Sequence, residues 1–477
     1  MIEIERIPSY IIDVYKQIAS SGYEVYLVGG CVRDLLLNRN ITDWDMTTNA
    51  TPEQILQLFP DGFYDNLFGT VGIAVDVIAR SKTTKQSTLQ QEDSHADTRD
   101  DESLKGIIEI TTYRTEKNYM DNRHPEQVSW GKTLEEDLQR RDFTINAMAA
   151  SLNDNIQIID PYEGQKDLDA KLVRAVGDPN QRFKEDGLRL MRAIRFATQL
   201  SFQIEEKTLE AITQDAALLQ NISGERIRDE LLKILGSEYP YEGIMLLKNT
   251  GLLQYILPEL LEGIDVSQVR PGRHHTSDVF THNLLALKLT PATDPIVRLA
   301  TLIHDVGKPR VRSEDENGYV IFFNHEVVGS KIAYGIANRF HLSKKEREKI
   351  VTLVRWHMFT VDEHITDAAV RRFIRRVGVD NVKDMIDLRI GDRLGSGTET
   401  AESWRLKDFK KRIEEQLQPG PFSINDLAID GNDIMQEMNL KPGREIGELL
   451  QKLFLEVDED LEKNTKEYLL QRLHEIS

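Results

Sequence analysis

Residues 25 to 45 read VYLVGGCVRDLLLNRNITDWD, and their order decides the fold. An apolar run from Val25 to Val28 ends in Gly29 and Gly30, a short helical pattern follows, and a second strand carries Asp43 and Asp45. Side chains two apart on a strand face the same side, so both carboxylates point one way. Paired hard oxygen ligands suit Mg²⁺, which keeps several waters and is bound together with substrate phosphates. The diglycine lets backbone N–H groups approach an anion, and the helix start behind it adds partial positive charge. Either half alone reads as a tight turn or a solvated Asp-x-Asp. Together, at this spacing, they predict a unit built for phosphoryl chemistry.

The chain has 477 residues, too many for one core, and about three domains are expected at this length. No apolar run approaches the ~20 residues that a bilayer span requires. The opening MIEIERIPSYIIDVYKQI has early acidic residues and no signal-peptide core, so it reads as a helix of the first domain. The single cysteine, Cys31, excludes an internal disulfide framework and fits a reducing cytoplasm. A net charge of −19 argues against general affinity for nucleic acid. Part of that charge sits in QEDSHADTRDDE, residues 91 to 102, inside a polar insertion at 81 to 106 whose composition predicts disorder. Basic clusters at Arg140-Arg141, Arg189 to Arg195, Arg371 to Arg376 and Arg405 to Arg412 would confine RNA binding to local faces.

Strand and helix signals alternate from 23 to 150. Thr51-Pro52-Glu53 is a helix start, Val71 to Val77 and Ile107 to Thr112 are strand-like, and Thr133 with Glu136 forms a capping-box pattern. From about 167 onward the periodicity is helical, with Gly and Pro clusters near 236 to 243, 271 to 273 and 418 to 421 as boundaries. The fold class is α+β, a small α/β head followed by an extended all-α body.

Two further stretches carry chemistry. In EEDLQRRDFTINAMAAS, residues 135 to 151, Arg140 and Arg141 are charge partners for triphosphate oxygens and Asp142 could accept from a ribose hydroxyl. The same residues read equally well as an amphipathic helix ending in a structural Arg–Asp pair. In KEDGLRLMRAIRFA, residues 184 to 197, Asp186 and Arg189 are three apart and would share one helix face, an acceptor beside donors. Cytosine and adenine each offer an exocyclic amine beside a bare ring nitrogen, which this pair complements. Uracil and guanine would leave buried groups unpaired, at ~1–3 kcal/mol each. A plain i to i+3 salt bridge is the competing reading.

LVGGCVRD with DWD, then RRDFTINAMA, then EDGLRLMRAIRFA resemble the head and neck motifs of class II tRNA nucleotidyltransferases, the family of CCA-adding enzymes and poly(A) polymerases. The resemblance runs from about 20 to 255. It includes DPYEGQKDL at 160 to 168 and ERIRDEL at 225 to 231, where Arg226 and Glu230 fit an Arg-x₃-Glu motif. It implies a polymerase β-like nucleotidyltransferase head at 1–150, a helical neck and body at 151–255 for nucleotide selection and RNA binding, and a helical tail at 401–477 contacting tRNA. Asp43 and Asp45 would hold catalytic Mg²⁺, with Glu109 as a third carboxylate. Gly29, Gly30 and Arg33 would contact the triphosphate, and Arg141 and Asp142 the ribose. Asp186 and Arg189, with Arg192 and Arg195 beside them, would select C and A without a template. YMDNRHPEQV at 119 to 128 resembles the loop that switches selection from CTP to ATP. Asp121 and Arg123 fit it, while His124 stands where a second arginine is usual. Such a loop favours an enzyme that can add A.

His282, His304-Asp305, His325, His357 and Asp392 fall in the order of HD-superfamily phosphohydrolases, with TLIHDVGKP at 301 to 309 the most specific stretch. This resemblance implies an HD domain at 256–400 holding a divalent metal. In related CCA enzymes such a domain is linked to phosphatase and 2′,3′-cyclic phosphodiesterase action, though it can also persist as a scaffold. The expectation is a cytoplasmic enzyme that extends the tRNA 3′ end in the acceptor arm by CCA, using CTP and ATP, without membrane association. An A-adding enzyme or poly(A) polymerase shares every motif quoted. Protein uridylyltransferases also join a nucleotidyltransferase head to an HD domain, but RRDFTINA and EDGLR argue against them. Intact Asp43 and Asp45 argue against a non-catalytic RNA-binding relative.

Overall fold

The computed structural model of this chain describes residues 3–65, 70–76, 105–119, 125–153, 156–268, 277–359, 361, 365–398, 400–417 and 423–476. Two compact units make up the chain: Met1–Ile222 with Asn249–Leu252, and Ser223–Lys248 with Leu253–Ser477. This division is coarser than the four segments expected from sequence.

The first unit contains β1 (Val25–Val28), β2 (Trp44–Thr48), β3 (Phe63–Asp65), β4 (Thr70–Asp76), β5 (Lys105–Thr112), β6 (Arg114–Tyr119), β7 (Pro125–Trp130), β8 (Ala149–Ser151) and β9 (Gln157–Ile159). Seven of these form one mixed sheet in the order β3-β4-β5-β2-β1-β8-β9, and β6 pairs with β7 apart from it. Only β2 and β5 run parallel within that sheet, with Trp44 opposite Ile108 and Asp45 opposite Glu109. Alternation explains the burial. Leu27, Trp44, Met46, Ile108 and Ile110 are buried, while Asp45 and Glu109 occupy the intervening positions. Asp43 is a correction to the sequence reading: it precedes β2 by one residue and is exposed, so only Asp45 lies on the strand.

The same unit holds α1 (Ser9–Ser20), α2 (Gly30–Leu36), α3 (Pro52–Leu58), α4 (Leu134–Gln139), α5 (Gly164–Asp169), α6 (Pro179–Glu185) and α7 (Leu188–Leu200). The first buries Ile11, Val14, Tyr15 and Ile18, one helical stripe. The cap expected at Thr51 is complete: Thr51 accepts from the Gln54 N–H, and the Gln54 side chain accepts from the Thr51 N–H. The cap at Thr133 is half of what was expected. Thr133 accepts from the Glu136 N–H, but Glu136 accepts from the N–H of Lys132 instead. The insertion at 81 to 106 lies outside the described residues up to 104, and so do Asp121 and Arg123.

The second unit is helical, apart from a small hairpin at Ser313–Glu314 and Val320–Ile321. Toward its C-terminus, Ile434, Leu453, Val457, Leu469 and Leu473 form a separate buried cluster. Among the described residues, no helix is long and apolar enough to cross a membrane.

Candidate functional site

Gly29 ends β1 in a left-handed conformation, φ +76°, which an L side chain adopts only under strain. A Cβ there would stand 2.8 Å from Arg141 Nη1 and 3.6 Å from Asp45 Oδ2. The dihedral is what requires glycine here, and a side chain would in addition push the Arg141 guanidinium aside. One spot thus joins the diglycine, the strand carboxylate and the arginine of the RRD motif. The helix behind the turn, Gly30–Leu36, has only seven residues.

Burial pushes the Asp45 carboxyl up to about 6; Arg141 opposes this, while Glu109 and Asp43 add to it. Three carboxylates thus feel one another at this end of the sheet. Hard carboxylate oxygens are the donors a divalent cation takes, and Arg141 and Arg192 compensate Asp45 only in part.

Asp137 sits at the base of the RRD motif and binds both arginines, Arg140 Nη2 at 2.7 Å and Arg141 Nη2 at 3.2 Å. Asp142 points elsewhere. Its Oδ1 accepts from the Phe143 N–H and from Asn146, and its Oδ2 pairs with Arg192 at 2.5 Å. Burial alone would raise this carboxyl, but Arg192, Asn146 and Arg189 outweigh it and hold Asp142 ionised well below the usual range. Arg33 forks onto Asp34 at 2.8 and 2.9 Å and donates to Asn146 at 2.8 Å. Its guanidinium lies 5.0 Å from the Phe196 ring, which Arg195 approaches at 4.2 Å and Arg192 at 5.4 Å. Phe196 is the pillar on which arginines from two motifs rest, and Asn146 links Arg33 to Asp142. Sequence reasoning passed over both, although each stands inside a quoted motif.

The pairing of Asp186 with Arg189 on one helix face does not occur. The α6 helix stops at Glu185, Asp186 is extended with φ −147°, and its Oδ1 accepts from the Leu188 N–H ahead of α7. Arg189 turns inward to Glu185 at 2.6 Å and to the carbonyls of Arg182 and Arg140. Asp186 with Gly187 acts as a break between helices, which the unbroken apolar pattern concealed.

In the second unit, six residues from five helices converge. His282 lies on Val279–Leu289, and His304 caps the end of Pro295–Ile303 with Asp305 following it. His325 opens His325–Arg339, His357 ends Lys344–Trp356, and Asp392 lies on Val382–Gly395. The Nε2 of His282 is 3.2 Å from Asp392 and 3.3 Å from Asp305, and those of His325 and His357 are 3.2 and 3.5 Å from the other Asp305 oxygen. Two triads, His282–His304–Asp392 and His304–Asp305–His357, each bring their ligand atoms within 4.8 Å. Nδ1 of His304, His325 and His357 each meets a backbone carbonyl at 2.8 Å, which turns Nε2 inward. This is how protein histidines are oriented toward a metal. Burial opposes protonation of His304, yet Asp305 and Asp392 raise its imidazole to about 10.

Glycines make this convergence possible. A Cβ at Gly307 would lie 2.1 Å from the His325 carbonyl oxygen, and those at Gly391 and Gly395 would lie 2.6 and 2.7 Å from the backbone of Ala286. Lys308, also passed over by sequence reasoning, reaches Asp305 at 2.5 Å and Gln268 at 2.5 Å.

A diglycine turn, sheet carboxylates and an ionised aspartate beside arginines define a nucleotidyltransferase of the polymerase-head class. Comparison with known proteins gives the same class. Residues 25–174 match the family described as "Poly A polymerase head domain", 201–263 "Probable RNA and SrmB- binding site of polymerase A", and 329–473 "tRNA nucleotidyltransferase domain 2". These matched stretches leave His282, His304, Asp305 and His325 outside them. The CCA-adding enzyme of Streptococcus thermophilus (strain CNRZ 1066) is 32% identical over 92% of this chain and 89% of its own length. That of Geobacillus kaustophilus (strain HTA426) is 40% identical, over 51% of this chain and 53% of its own length. This chain belongs to the family of CCA-adding enzymes, which are tRNA nucleotidyltransferases. Its fold is that of the Bacillus stearothermophilus CCA-adding enzyme crystallised with CTP, at TM-score 0.68 and 24% identity over 98% of this chain and 96% of the other.

Proposed function

We propose that this chain adds CCA to the 3′ end of tRNA from CTP and ATP, and that Asp43, Asp45 and Glu109 are its catalytic carboxylates. One observation carries the reading: Gly29, Asp45, Glu109 and Arg141 stand together at one end of the sheet. The terminal hydroxyl of the RNA attacks the α-phosphorus, the bond to the β-phosphate oxygen breaks, and pyrophosphate leaves. Asp43 and Asp45 would hold Mg²⁺, which when bound would supply Lewis acidity toward the charge that develops on the phosphoryl oxygens. The turn at Gly29 admits the triphosphate without a side chain in its way, and Arg141 places a guanidinium against that turn. Asp142, kept ionised by Arg192, is the acceptor for a ribose hydroxyl. Gly30, Arg33, Asp186, Arg189, Arg192 and Arg195 form the rest of the nucleotide site. Most of these arginines already have partners, so their role is to hold the site's shape and exchange partners when nucleotide enters.

The test uses tRNA transcripts ending before CCA, after CC and after CCA, each with single NTPs. CTP should extend the first, ATP the second, and neither the third. Addition of A alone would make it an A-adding enzyme, and runs of A a poly(A) polymerase. Asp45→Ala should remove all addition; turnover near that of the parent would overturn the carboxylate assignment.

The six-residue cluster favours a second activity. We infer that His282, His304, Asp305, His325, His357 and Asp392 hold a divalent metal and serve a phosphohydrolase, with phosphatase or 2′,3′-cyclic phosphodiesterase action. Imidazole nitrogens with carboxylates are the donor set of divalent transition metals. These six side chains would hold such a cation, which when bound would supply Lewis acidity toward a water.

A further inference from the structure

Each carboxylate of the histidine–aspartate cluster turns one oxygen to a cation of the chain itself. Asp305 Oδ2 meets Lys308 Nζ at 2.5 Å, and Asp392 Oδ2 meets Arg389 Nη1 at 2.7 Å. The two cations differ in what they have left to give. Lys308 is buried and also donates to Gln268 Oε1 at 2.5 Å. Arg389 lies one turn before Asp392 on the helix Val382–Gly395, and among the described residues that carboxylate is the one hydrogen-bond partner of its side chain. The guanidinium lies over the Phe359 ring, 5.6 Å from its centre, and Phe359 is itself held against Phe373 and Phe409 at 4.8 and 5.6 Å. A stacked guanidinium keeps its donors along the edge, and it carries more of them than one carboxylate oxygen uses.

Exposure locates the side from which a further acceptor can arrive. The side chains of His282, His304, Asp305 and His357 are at most 2% exposed, while His325 is 7%, Asp392 12% and Arg389 25%. Water thus reaches the cluster beside Asp392, and Arg389 is the cation standing there. Charge balance indicates what the acceptor is. Two carboxylates, a divalent cation and imidazoles that are neutral as ligands sum to zero. A phosphate ester brings a charge of about −2, which Lys308 and Arg389 together match.

We propose that Arg389 binds the phosphoryl group of the substrate at this water-exposed edge, holding Asp392 Oδ2 with one donor and phosphate oxygens with the others. The proposal rests on the phosphohydrolase reading of the cluster. A planar fork of N–H groups matches two oxygens of one phosphate, which a point charge such as Lys308 does not.

The full chain loaded with Mn²⁺ is titrated with inorganic phosphate by calorimetry. Arg389→Gln keeps a donor for Asp392 but loses the charge and the fork. Phosphate Kd should then rise about tenfold, the scale of one hydrogen bond to a charged group. Mn²⁺ Kd, measured without phosphate, should not rise, because a neighbouring positive charge is gone and the Asp392 hydrogen bond remains. Arg389→Lys, which returns the charge without the fork, should give a phosphate Kd between the two. A purely structural pair, three residues apart on one helix, predicts weaker Mn²⁺ binding with phosphate Kd unchanged, and that result would overturn the proposal. If the parent with Mn²⁺ cleaves neither p-nitrophenyl phosphate nor a 2′,3′-cyclic nucleotide, the phosphohydrolase reading falls and takes this role of Arg389 with it.

Discussion

Asp45 serves its site at the expense of the fold. Burial first, then Glu109 and Asp43, lift its carboxyl from 3.8 to about 6 against the pull of Arg141 and Arg192. A folded-state value above the unfolded one means that the native protein binds this proton more tightly. Stability therefore falls as pH rises between about 4 and 6, and the full cost persists above that window. Two units correspond to on the order of 2–3 kcal/mol. Asp45→Asn removes the buried charge, so in calorimetry at pH 8 without divalent cation it should melt roughly 5 °C above the parent. The gain should shrink as pH is lowered toward 5. A lower melting temperature at pH 8 would mean that the surrounding arginines already compensate the charge. The position of Asp45 was legible from strand alternation and its glycine partner. That of Asp186 was not, because the apolar periodicity of residues 183 to 196 continues across a backbone break that Asp186 itself caps.

At the scale of elements, caps and strand periods were readable because both ends of each interaction lie within four residues, as at Thr51 and Gln54. The histidine–aspartate cluster was readable as an order of histidines, but not as a packing problem. Gly391 and Gly395 flank Asp392 one helical turn apart and let the helices Val279–Leu289 and Val382–Gly395 approach until His282 and Asp392 are 3.2 Å apart. Alanine at Gly391 would gain ~1 kcal/mol in helix propensity. Its methyl would also stand 2.6 Å from the Ala286 carbonyl oxygen, an overlap with backbone that cannot rotate away. Overpacking of this kind costs ~1–3 kcal/mol, and the helices must part to relieve it. The clash should win. Gly391→Ala should lower the unfolding temperature and weaken Mn²⁺ binding by calorimetric titration, with nucleotide addition by the head unchanged. Unaltered metal affinity would show that the two helices are not held by this contact.

For the whole molecule, the two centres lie in separate compact units, so each should be removable alone. His304→Ala with Asp305→Ala should abolish bound Mn²⁺, read by mass spectrometry, and leave nucleotide addition within twofold of the parent. Loss of both would mean that the units depend on each other. Charge poses the harder question at this scale, since the chain carries −19 and yet belongs to a family that works on tRNA. The basic clusters seen in the sequence were expected to supply local RNA-binding faces, but the fold engages most of them internally. Arg371 and Arg375 close on buried Asp458, Arg372 pairs with Glu459, and Arg412 pairs with Asp367. Lys410 and Lys411 meet Glu402 and Glu415, and Arg189 and Arg192 meet Glu185 and Asp142. No sequence pattern announces a partner 87 positions away, which is why the cluster at Arg371 to Arg376 read as free charge. With these pairs formed, the basic clusters themselves offer less free charge to displace counterions from phosphates. Each phosphate neutralised contributes about −0.9 to the slope of log K against log salt. The slope for tRNA binding between 50 and 200 mM salt should therefore lie near −3, against roughly −5 to −9 for proteins that make six to ten phosphate contacts. A slope steeper than about −6 would mean that these ion pairs open and hand their arginines to the RNA.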